Sequence, residues 1–485
     1  MRRVIFKTAF LLLMYLSVSV FLNTDISAMP ETKTGDHLLI LHLQGVYSAK
    51  VSLIPFIGLK ATTPIAEVAD LKDGGTATLK IPAQYLPGEF VLRLDYRAKE
   101  GDSPYPSEKG LFINNQDIEL FIDPLHVHDA DYTKFSDGET ENTAYAKFME
   151  ENNEKRMPIE FIKQFLLSYD RPKSKLYLEA VKEFNQRRKE YNAWLKKQAK
   201  INNKLYVSKL FQFQHMPAIE WGGDLEERPS QLLKNYFDGI DFSDPIILRS
   251  REISMLMDGY MRLYGMQATT EELRDTLFTE AGRVACEEAS KGHPEVYGWM
   301  VDYFYKGYET YGIEDGMAIL KKHVDNPNCL TTKREQITKR LDGISRLVAG
   351  AAAPNFTATD STGSNFELYK WKNDSAHKLI LFSLPGCSSC KKLKEDLAKW
   401  YIEPNNKDKL DVLIVDLDKP GSQGAKITKT LPAGWKYIHT KGGIESSIAK
   451  DYAILSAPAM FLLDNKDNAI VSTPFDLDQL IKDLK

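Results

Sequence analysis

Cysteine is scarce in this sequence, and that scarcity excludes a fold held together by disulfides. Only four of the 485 residues are cysteines, at Cys286, Cys329, Cys387 and Cys390. Disulfide-rich scaffolds carry many more cysteines for their length. Cys387 and Cys390 are separated by two residues, and such a lone C-x-x-C pair indicates redox chemistry rather than structural cross-linking.

An excess of charge of one sign is also lacking. The 63 basic and 67 acidic side chains leave a net charge of −4, so neither a nucleic acid nor an acidic membrane surface is expected as a partner. Hydrophobic residues make up 43% and charged residues 27%, as in ordinary soluble proteins. The chain is too long for a single core, and domains of roughly 100–200 residues predict about three of them.

The N-terminus has the layout of an export signal. Three basic residues accompany an apolar run from Val4 to Leu22, and polar sequence follows. This layout predicts a signal peptide over residues 1–28, cleaved after Ala28. An uncleaved membrane anchor is the alternative, because the run is near the length that spans a bilayer. In either case we expect the rest of the chain in the periplasm or cell envelope.

Residues 36–125 show the two-residue period of β-strands. In the segment Glu89–Tyr96, the apolar residues Phe90, Leu92 and Leu94 alternate with residues that face the other way. Glycine and proline at 74–75 and 87–88 supply turns. This pattern predicts a small antiparallel β-sandwich.

Residues 143–348 show helical spacing instead. Apolar side chains recur three, four or seven residues apart in three stripes: Tyr177, Val181, Phe184, Tyr191 and Trp194; Ile253, Leu256, Met257, Tyr260 and Leu263; Ile337, Leu341, Ile344 and Val348. Such stripes are typical of amphipathic helices that each bury one face. We therefore predict a central all-α segment.

A third pattern follows a joint of small residues at 347–354. Apolar strands are predicted at 378–383, 410–416 and 459–464, and helices at 388–401 and 444–452. Strands that alternate with helices are typical of an α/β domain with a buried sheet. We therefore predict an α/β domain over 353–485.

The C-x-x-C pair lies where a strand of this domain meets a helix. A cysteine at a helix N-terminus is favoured as a thiolate, because the unpaired backbone N–H groups and the helix dipole attract negative charge. Lys391 and Lys392 add positive charge one turn away. We expect Cys387 to be the exposed nucleophile and Cys390 the buried thiol that resolves a mixed disulfide.

Several segments in this order resemble the exported ResA/TlpA-like thiol–disulfide oxidoreductases of the thioredoxin superfamily: Ala353–Phe356 with Asp360–Gly363, Phe382–Cys390, and Tyr452–Asp464. The resemblance implies a thioredoxin fold, exchange of disulfides with cell-envelope proteins, a membrane thiol electron donor and no cofactor. It also implies a cis proline at Pro458, which would bind the substrate strand together with Ala457. The segments Asn235–Phe242 and Asp244–Arg249 are similar to the large members from Bacteroidetes, which carry an N-terminal β-domain and a helical insert.

Two positions depart from the pattern of that family. Gly386 stands before the first cysteine, where many members have Trp, and Leu393 stands three residues after the second, where relatives often have Glu. That Glu tunes the thiols, so the proton donor of this chain is left open. Asp416, at a strand end, could move protons, but a solvated carboxylate without a role is the favoured interpretation.

Other chemistries fit these residues less well. A zinc site would need a second pair of ligands near the C-x-x-C. A c-type haem would need His where Lys391 stands, and a peroxidatic cysteine usually follows Thr at the position of Leu384. His126 and His128 could reach one ion, but no third ligand is near in sequence, so no metal is expected.

The other two cysteines have two interpretations of equal weight. Cys286 and Cys329 could form a structural disulfide, which would stabilise the fold by up to ~4 kcal/mol in the chain-entropy model. They could instead be two separate buried thiols.

These observations predict an exported oxidoreductase that exchanges disulfides through Cys387 and Cys390. An alternative from another class is that residues 36–348 form a binding or scaffold module for an envelope partner. The redox domain would then serve that partner alone.

Overall fold

The computed structural model describes residues 35–58, 60–61, 63–360, 363–371, 375–404, 406–418, 432, 434–454 and 457–484. The predicted signal peptide at 1–28 lies outside these residues. The chain divides into two compact units, with the boundary between Leu263 and Tyr264. No helix within the described ranges is long and apolar enough to cross a membrane.

Two β-sheets open the first unit. One sheet has the strand order β5-β1-β8-β9, with β1 at His37–Leu43, β5 at Thr76–Ile81, β8 at Ile118–Ile122 and β9 at Lys134–Phe135. The other has the order β3-β2-β6-β7, with β4 paired to β2; its strands are β2 Ser48–Ile57, β3 Lys60–Ala61, β4 Ala66–Lys72, β6 Gly88–Arg97 and β7 Tyr105–Ile113. Inward-facing side chains of both sheets share one core. Phe90, Leu92 and Leu94 of β6 are fully buried, which confirms the predicted alternation.

One strand pair departs from the predicted antiparallel sandwich. Strands β1 and β8 are parallel, with Leu41 opposite Leu120. Consecutive strands joined by a short turn must be antiparallel, but β1 and β8 are separated by the strands of the other sheet. The long connection allows the parallel pairing, which the strand period alone does not reveal.

Helices follow the sandwich: α1 Glu141–Ser168, α2 Lys175–Ile201, the short α3 Arg228–Gln231 and α4 Glu252–Gly265. The hydroxyl of Ser174 caps α2 by accepting a hydrogen bond from the Tyr177 backbone. Tyr177, Phe184 and Tyr191 are buried along one face of α2, which agrees with the predicted stripe. The unit boundary falls within α4.

The second unit begins with further helices: α5 Glu271–Ala289, α6 Pro294–Tyr311, α7 Glu314–Val324 and α8 Arg334–Arg346. Ile337 of α8 is buried, whereas Val348 is 50% exposed. The prediction that Val348 continues this buried stripe is wrong, because α8 ends at Arg346. The domain boundaries at 36–125, 143–348 and 353–485 stay predictions.

A five-stranded mixed sheet completes the chain. Its order is β14-β13-β12-β15-β16, with β12 His377–Ser383, β13 Leu410–Asp418, β14 Lys436–Lys441, β15 Ala459–Asp464 and β16 Ile470–Ser472. Strands β12, β13 and β14 are parallel, and β15 and β16 are antiparallel to their neighbours. The hairpin of β10 (Thr357–Thr359) and β11 (Asn365–Glu367) precedes the sheet, and the helices are α9 Ser388–Tyr401, α10 Ser447–Asp451 and α11 Leu477–Asp483.

The central strand β12 is buried on both faces. Ile380 and Phe382 belong to the core on one face, and Leu379 and Leu381 to the core on the other, which α9 covers through Leu397. A buried mixed sheet with helices on its faces is the predicted thioredoxin fold, and the predicted three-part architecture is confirmed. The C-terminal end of β12 leads directly to the C-x-x-C pair.

Candidate active site

A sharp turn between β12 and α9 carries Cys387. Gly386 has φ +78°, a left-handed conformation that other residues adopt only at a cost. Cys387 then forms the N-cap of α9, and its sulfur accepts a hydrogen bond from the Cys390 backbone N–H at 3.1 Å. The helix N-terminus predicted at this cysteine is therefore present.

Cys387 and Cys390 form a disulfide, with their Cα atoms 5.3 Å apart. Cys387 is half-buried, whereas Cys390 is 1% exposed. The Cys387 sulfur lies 3.7 Å from the carbonyl oxygen of Ala457, and the Ala457–Pro458 peptide bond is cis. The fold thus places the four residues predicted for catalysis and substrate binding at one site. Their roles stay predictions.

The two lysines that follow the disulfide point into solvent. The Lys391 and Lys392 side chains are 78% and 82% exposed, and their ammonium groups lie 3.9 Å from Glu395 and 3.3 Å from Asp396. Exposed charges with nearby counter-charges are largely screened by solvent and salt. The supporting role predicted for these lysines stays a prediction.

Asp416 does not occupy the solvated strand end that the sequence favoured. It is 2% exposed, and the Tyr437 hydroxyl donates a hydrogen bond to its Oδ2. Its Oδ1 lies 3.8 Å from the Lys394 ammonium, which donates a hydrogen bond of 2.9 Å to the Ser383 hydroxyl. The solvated interpretation is wrong because the end of β13 is covered by α9, which the strand pattern alone does not show.

Comparison with known proteins finds relatives of the C-terminal residues that carry this site. Residues 349–471 match the AhpC/TSA family. The thiol–disulfide oxidoreductase ResA of Bacillus thuringiensis is 27% identical over 127 residues, which cover 26% of this chain and 69% of ResA. The C-terminal domain is a ResA/TlpA-like thioredoxin domain. Residues 349–471 are thus similar to the thioredoxin-like thiol–disulfide oxidoreductases.

Two solved structures are also similar to the chain. A thioredoxin-like protein from Bacteroides caccae is 20% identical, with a TM-score of 0.39, over 56% of this chain and 96% of its own. The thioredoxin domain of a Bacteroides vulgatus thiol–disulfide oxidoreductase is 24% identical, with a TM-score of 0.24, over 28% of this chain and 94% of its own.

The structure accounts for both departures of the ResA-like domain from the family pattern. The left-handed backbone at Gly386 suits glycine better than Trp. Leu393 is partly buried and packs against the core between α9 and the sheet, where a Glu would be partly desolvated. Lys394, the next residue, contacts Ser383 and Asp416 and is not among the site residues predicted from the sequence. Its position four residues after Cys390 on the same helix is the signal that could have found it.

The remaining two cysteines, one on α5 and one after α7, take no part in the Cys387–Cys390 disulfide. Cys286 and Cys329 are fully buried and unbridged, so the bridge considered as one alternative is not formed in this structure. Burial raises the pKa of both thiols above the ordinary value. Neutral, inaccessible thiols are poor nucleophiles.

His126, one of the two histidines considered as metal ligands, has other partners in the structure. His126 Nδ1 lies 3.0 Å from Asp123, and the His126 ring stacks on Tyr132. Among the residues that the structure describes, no group of three or more His, Cys, Asp or Glu side chains is arranged to hold a metal ion.

Proposed function

We propose that the protein is an exported thiol–disulfide oxidoreductase that exchanges disulfides with cell-envelope proteins through Cys387 and Cys390. One observation carries this proposal: a half-buried Cys387 at a helix N-terminus is bonded to a buried Cys390 beside the Ala457 carbonyl. A helix N-terminus stabilises a thiolate. The exposed backbone at Ala457 can pair with an extended substrate strand.

The chemistry is an exchange of two electrons. In the reducing direction, the Cys387 thiolate attacks one sulfur of a substrate disulfide, and the other substrate sulfur leaves as a thiolate that takes up a proton. The Cys390 thiolate then attacks the Cys387 sulfur, releases the second substrate thiol and restores the disulfide. The substrate gains two electrons and two protons, and the cysteine pair loses them.

Repeated turnover requires a second partner. A donor dithiol must reduce the Cys387–Cys390 disulfide after each cycle, and we propose a membrane thiol donor for an exported domain. Export itself is supported by the predicted signal peptide at 1–28. Mass spectrometry of the mature N-terminus tests it: a chain that starts after Ala28 supports cleavage, and an intact Met1 supports the membrane anchor.

Turnover of a model disulfide tests the function. With dithiothreitol as reductant and insulin as substrate, Cys387→Ser should abolish turnover. Reduced Cys390→Ser protein, mixed with insulin after removal of the dithiothreitol, should accumulate a mixed disulfide that migrates as a larger species on a non-reducing gel. Cys329→Ala removes a thiol outside the site and serves as the matched control with retained turnover. Full turnover in Cys387→Ser protein would contradict the proposal.

The equilibrium redox potential then gives the direction of the exchange. Titration against glutathione or dithiothreitol, with a gel-shift reagent for free thiols, measures it. A value near about −270 mV, as in thioredoxin, means a reductase that needs an electron supply. A value near about −120 mV, as in DsbA, means an oxidant that forms disulfides in its substrates.

The alternative is a binding module for an envelope partner. Met157 and Phe161 of α1 lie one helical turn apart and are 58% and 70% exposed, which supports an interaction role for the first unit. A full chain with both Cys387 and Cys390 changed to serine tests it. A specific partner held by this variant supports the binding module, and loss of the partner together with the cysteines supports exchange alone.

A further inference from the structure

A buried polar cluster lies under α9, on the face of the sheet that this helix covers. It consists of Ser383, Lys394, Asp416 and Tyr437. Ser383, Asp416 and Tyr437 are 0%, 2% and 9% exposed, and the Lys394 side chain is 19% exposed. Ser383 lies directly opposite Asp416 in the parallel ladder of β12 and β13. Polar side chains at this depth are retained only where they find partners or serve a purpose.

The contacts of this cluster converge on Lys394. Its ammonium donates to the Ser383 hydroxyl at 2.9 Å and lies 3.8 Å from Asp416 Oδ1. Tyr437 donates to the other carboxylate oxygen, Oδ2. Within the described residues, Oδ1 is buried and receives no hydrogen bond, so the Lys394 ammonium is the positive charge that faces it. A buried ion pair adds little net stability, so stability alone does not account for this arrangement.

The cluster is also close to the disulfide along the chain. Lys394 follows Cys390 by four residues in α9, so both side chains lie on one face of the helix. Helical side chains lean toward the N-terminus, which directs the Lys394 stem toward Cys390. Because Cys390 is 1% exposed, its thiolate receives little stabilisation from water, and nearby fixed charges determine its energy.

We propose that Lys394 and Asp416 set the reactivity of the Cys390 thiol by opposing charges. The inference rests on the proposed exchange at Cys387 and Cys390, in which Cys390 must become a thiolate to release the substrate. The Lys394 ammonium favours that thiolate. The Asp416 carboxylate disfavours it and, by pairing with Lys394, limits the effect of the ammonium. Both would act through Cys390 and are therefore positioning residues.

The position three residues after Cys390 carries no charge, because it holds the apolar Leu393. The charges proposed to act on Cys390 come from the next residue of the helix and from the neighbouring strand β13. A cation beside the thiol has the opposite sign of effect from a carboxylate there, so the contributions of the two residues are distinguishable by experiment.

Other titratable groups occur on the elements around α9, and a test must separate the pair from them. They are Lys391, Lys392, Glu395 and Asp396 on α9, His439 on β14, and Asp478, Lys482 and Asp483 on α11. The pH dependence of thiol reactivity in the wild-type protein alone would reflect all of these groups together. Matched single substitutions in one background isolate the two charges of interest.

The test measures the pKa of the Cys390 thiol in Cys387→Ser protein, where no disulfide can form. The rate of Cys390 alkylation by iodoacetamide is followed against pH, and mass spectrometry assigns the modified cysteine. Lys394→Met should raise this pKa by about one unit or more, and Asp416→Asn should lower it by a similar amount. Lys394→Arg keeps the charge and should restore a value near that of the parent.

The control is Lys399→Met. Lys399 lies on the same helix, is 75% exposed and pairs with Asp396 at 3.1 Å, so its removal should leave the pKa of Cys390 unchanged. If Lys394→Met and Asp416→Asn give equal pKa values for the Cys390 thiol, or shift it in the same direction, the proposal is overturned. If Asp416→Asn fails to fold by circular dichroism, the comparison of Lys394→Met with Lys394→Arg still decides it.

The proposed function can fail separately from this inference. The alkylation measurement needs no substrate and no turnover, so it reports only on the charges around Cys390. Retained insulin reduction by Cys387→Ser protein would contradict the proposed function, whatever the alkylation profile. Cys387→Ser protein could lose turnover as expected while Lys394→Met and Asp416→Asn do not shift the pKa of Cys390 in opposite directions. That outcome would contradict only the proposed charge pair.

Discussion

Cys387 and Cys390 share one disulfide but differ in access to solvent. Cys387 is half-buried and faces the Ala457 carbonyl, whereas Cys390, in the first turn of α9, is 1% exposed. A reagent must reach the thiolate to react with it, so the difference in exposure sets the order of attack.

The reduced protein should therefore react at Cys387 first. A brief treatment with iodoacetamide at neutral pH should modify Cys387 at least about ten times faster than Cys390, because both access and the helix N-terminus favour it. Peptide mapping by mass spectrometry measures the two rates. Equal rates would mean that Cys390 is accessible in the reduced protein and would contradict the assigned roles.

The other two thiols should be invisible to reagents until the protein unfolds. Cys286 and Cys329 are unbridged and fully buried. Oxidised native protein should show almost no reaction with Ellman's reagent, and the same protein in guanidinium chloride should show two free thiols per chain. A count of zero in the denatured, unreduced protein would mean that these cysteines form the bridge considered from the sequence.

Substitution of Gly386 should destabilise the protein only through the backbone conformation at this position. Its φ is +78° and a Cβ would meet no heavy atom within 4 Å, so side-chain clashes play no part. Gly386→Ala should lower the free energy of unfolding by about 1 kcal/mol, and Gly386→Asn by less, because Asn tolerates the left-handed region. Differential scanning fluorimetry measures both.

The control for this prediction is a helical glycine with equal free space. Gly307 lies inside α6, where a Cβ also meets nothing within 4 Å, but its φ is not positive. Gly307→Ala should raise stability by up to ~1 kcal/mol, because alanine favours helix. The same sign of change at both positions would contradict the backbone explanation.

The sequence predicted those parts of the fold that depend on local chemistry. Helix α9 spans Ser388–Tyr401, and strand β15 spans Ala459–Asp464, both as predicted. A cysteine that can cap a helix, followed by amphipathic spacing, determines the start and extent of α9. Cys387, Cys390 and Pro458 could be proposed as site residues because their motifs have fixed spacing.

Features that depend on packing between distant segments were not predicted. The parallel pairing of β1 with β8 requires knowledge of which strands become neighbours. The burial of Asp416 depends on α9, which covers the end of β13, and on Tyr437 of the next strand. Lys394 belongs to no sequence motif, so only its contacts with Ser383 and Asp416 in the structure mark it as a candidate site residue. A strand-end carboxylate has the same sequence signal whether it is solvated or buried.

Asn142, in the first turn of α1, connects this helix to the β-sandwich. Its side-chain amide forms two hydrogen bonds with the backbone of one residue of β7, as a paired strand would. Phe112 of β7 donates its backbone N–H to Asn142 Oδ1 at 2.8 Å, and Asn142 Nδ2 donates to the Phe112 carbonyl at 2.8 Å. Asn142→Asp cannot donate to that carbonyl, and its charge would be buried beside Glu139, which now accepts from Nδ2 at 2.9 Å.

Asn142→Asp should therefore lower the free energy of unfolding by at least about 2 kcal/mol. Urea denaturation followed by circular dichroism measures the loss. The matched control is Asn153→Asp, which makes the same change at an exposed position of α1 and should shift the midpoint little. Equal effects of the two substitutions would show that the pairing with Phe112 contributes nothing to stability.

Glu252 should make the stability of the first unit depend on pH. It is 7% exposed and accepts a hydrogen bond from the Tyr145 hydroxyl at 2.9 Å. Burial, and to a smaller degree the nearby Glu89 carboxylate, raise the pKa of Glu252. The native state then binds this proton at pH values where the unfolded chain has released it. Stability therefore falls as pH rises from the ordinary pKa of Glu through the raised value.

Glu252→Gln keeps the hydrogen-bond acceptor for Tyr145 and has no proton to lose. Its free energy of unfolding should fall less between pH 4.5 and pH 7.5 than that of the wild type, by about 1.4 kcal/mol for each unit by which the pKa is raised. Urea denaturation at the two pH values measures the difference. Glu154→Gln, at an exposed position of α1, should keep the wild-type dependence. If Glu252→Gln keeps it as well, the carboxyl of Glu252 does not titrate with a raised pKa in the native protein.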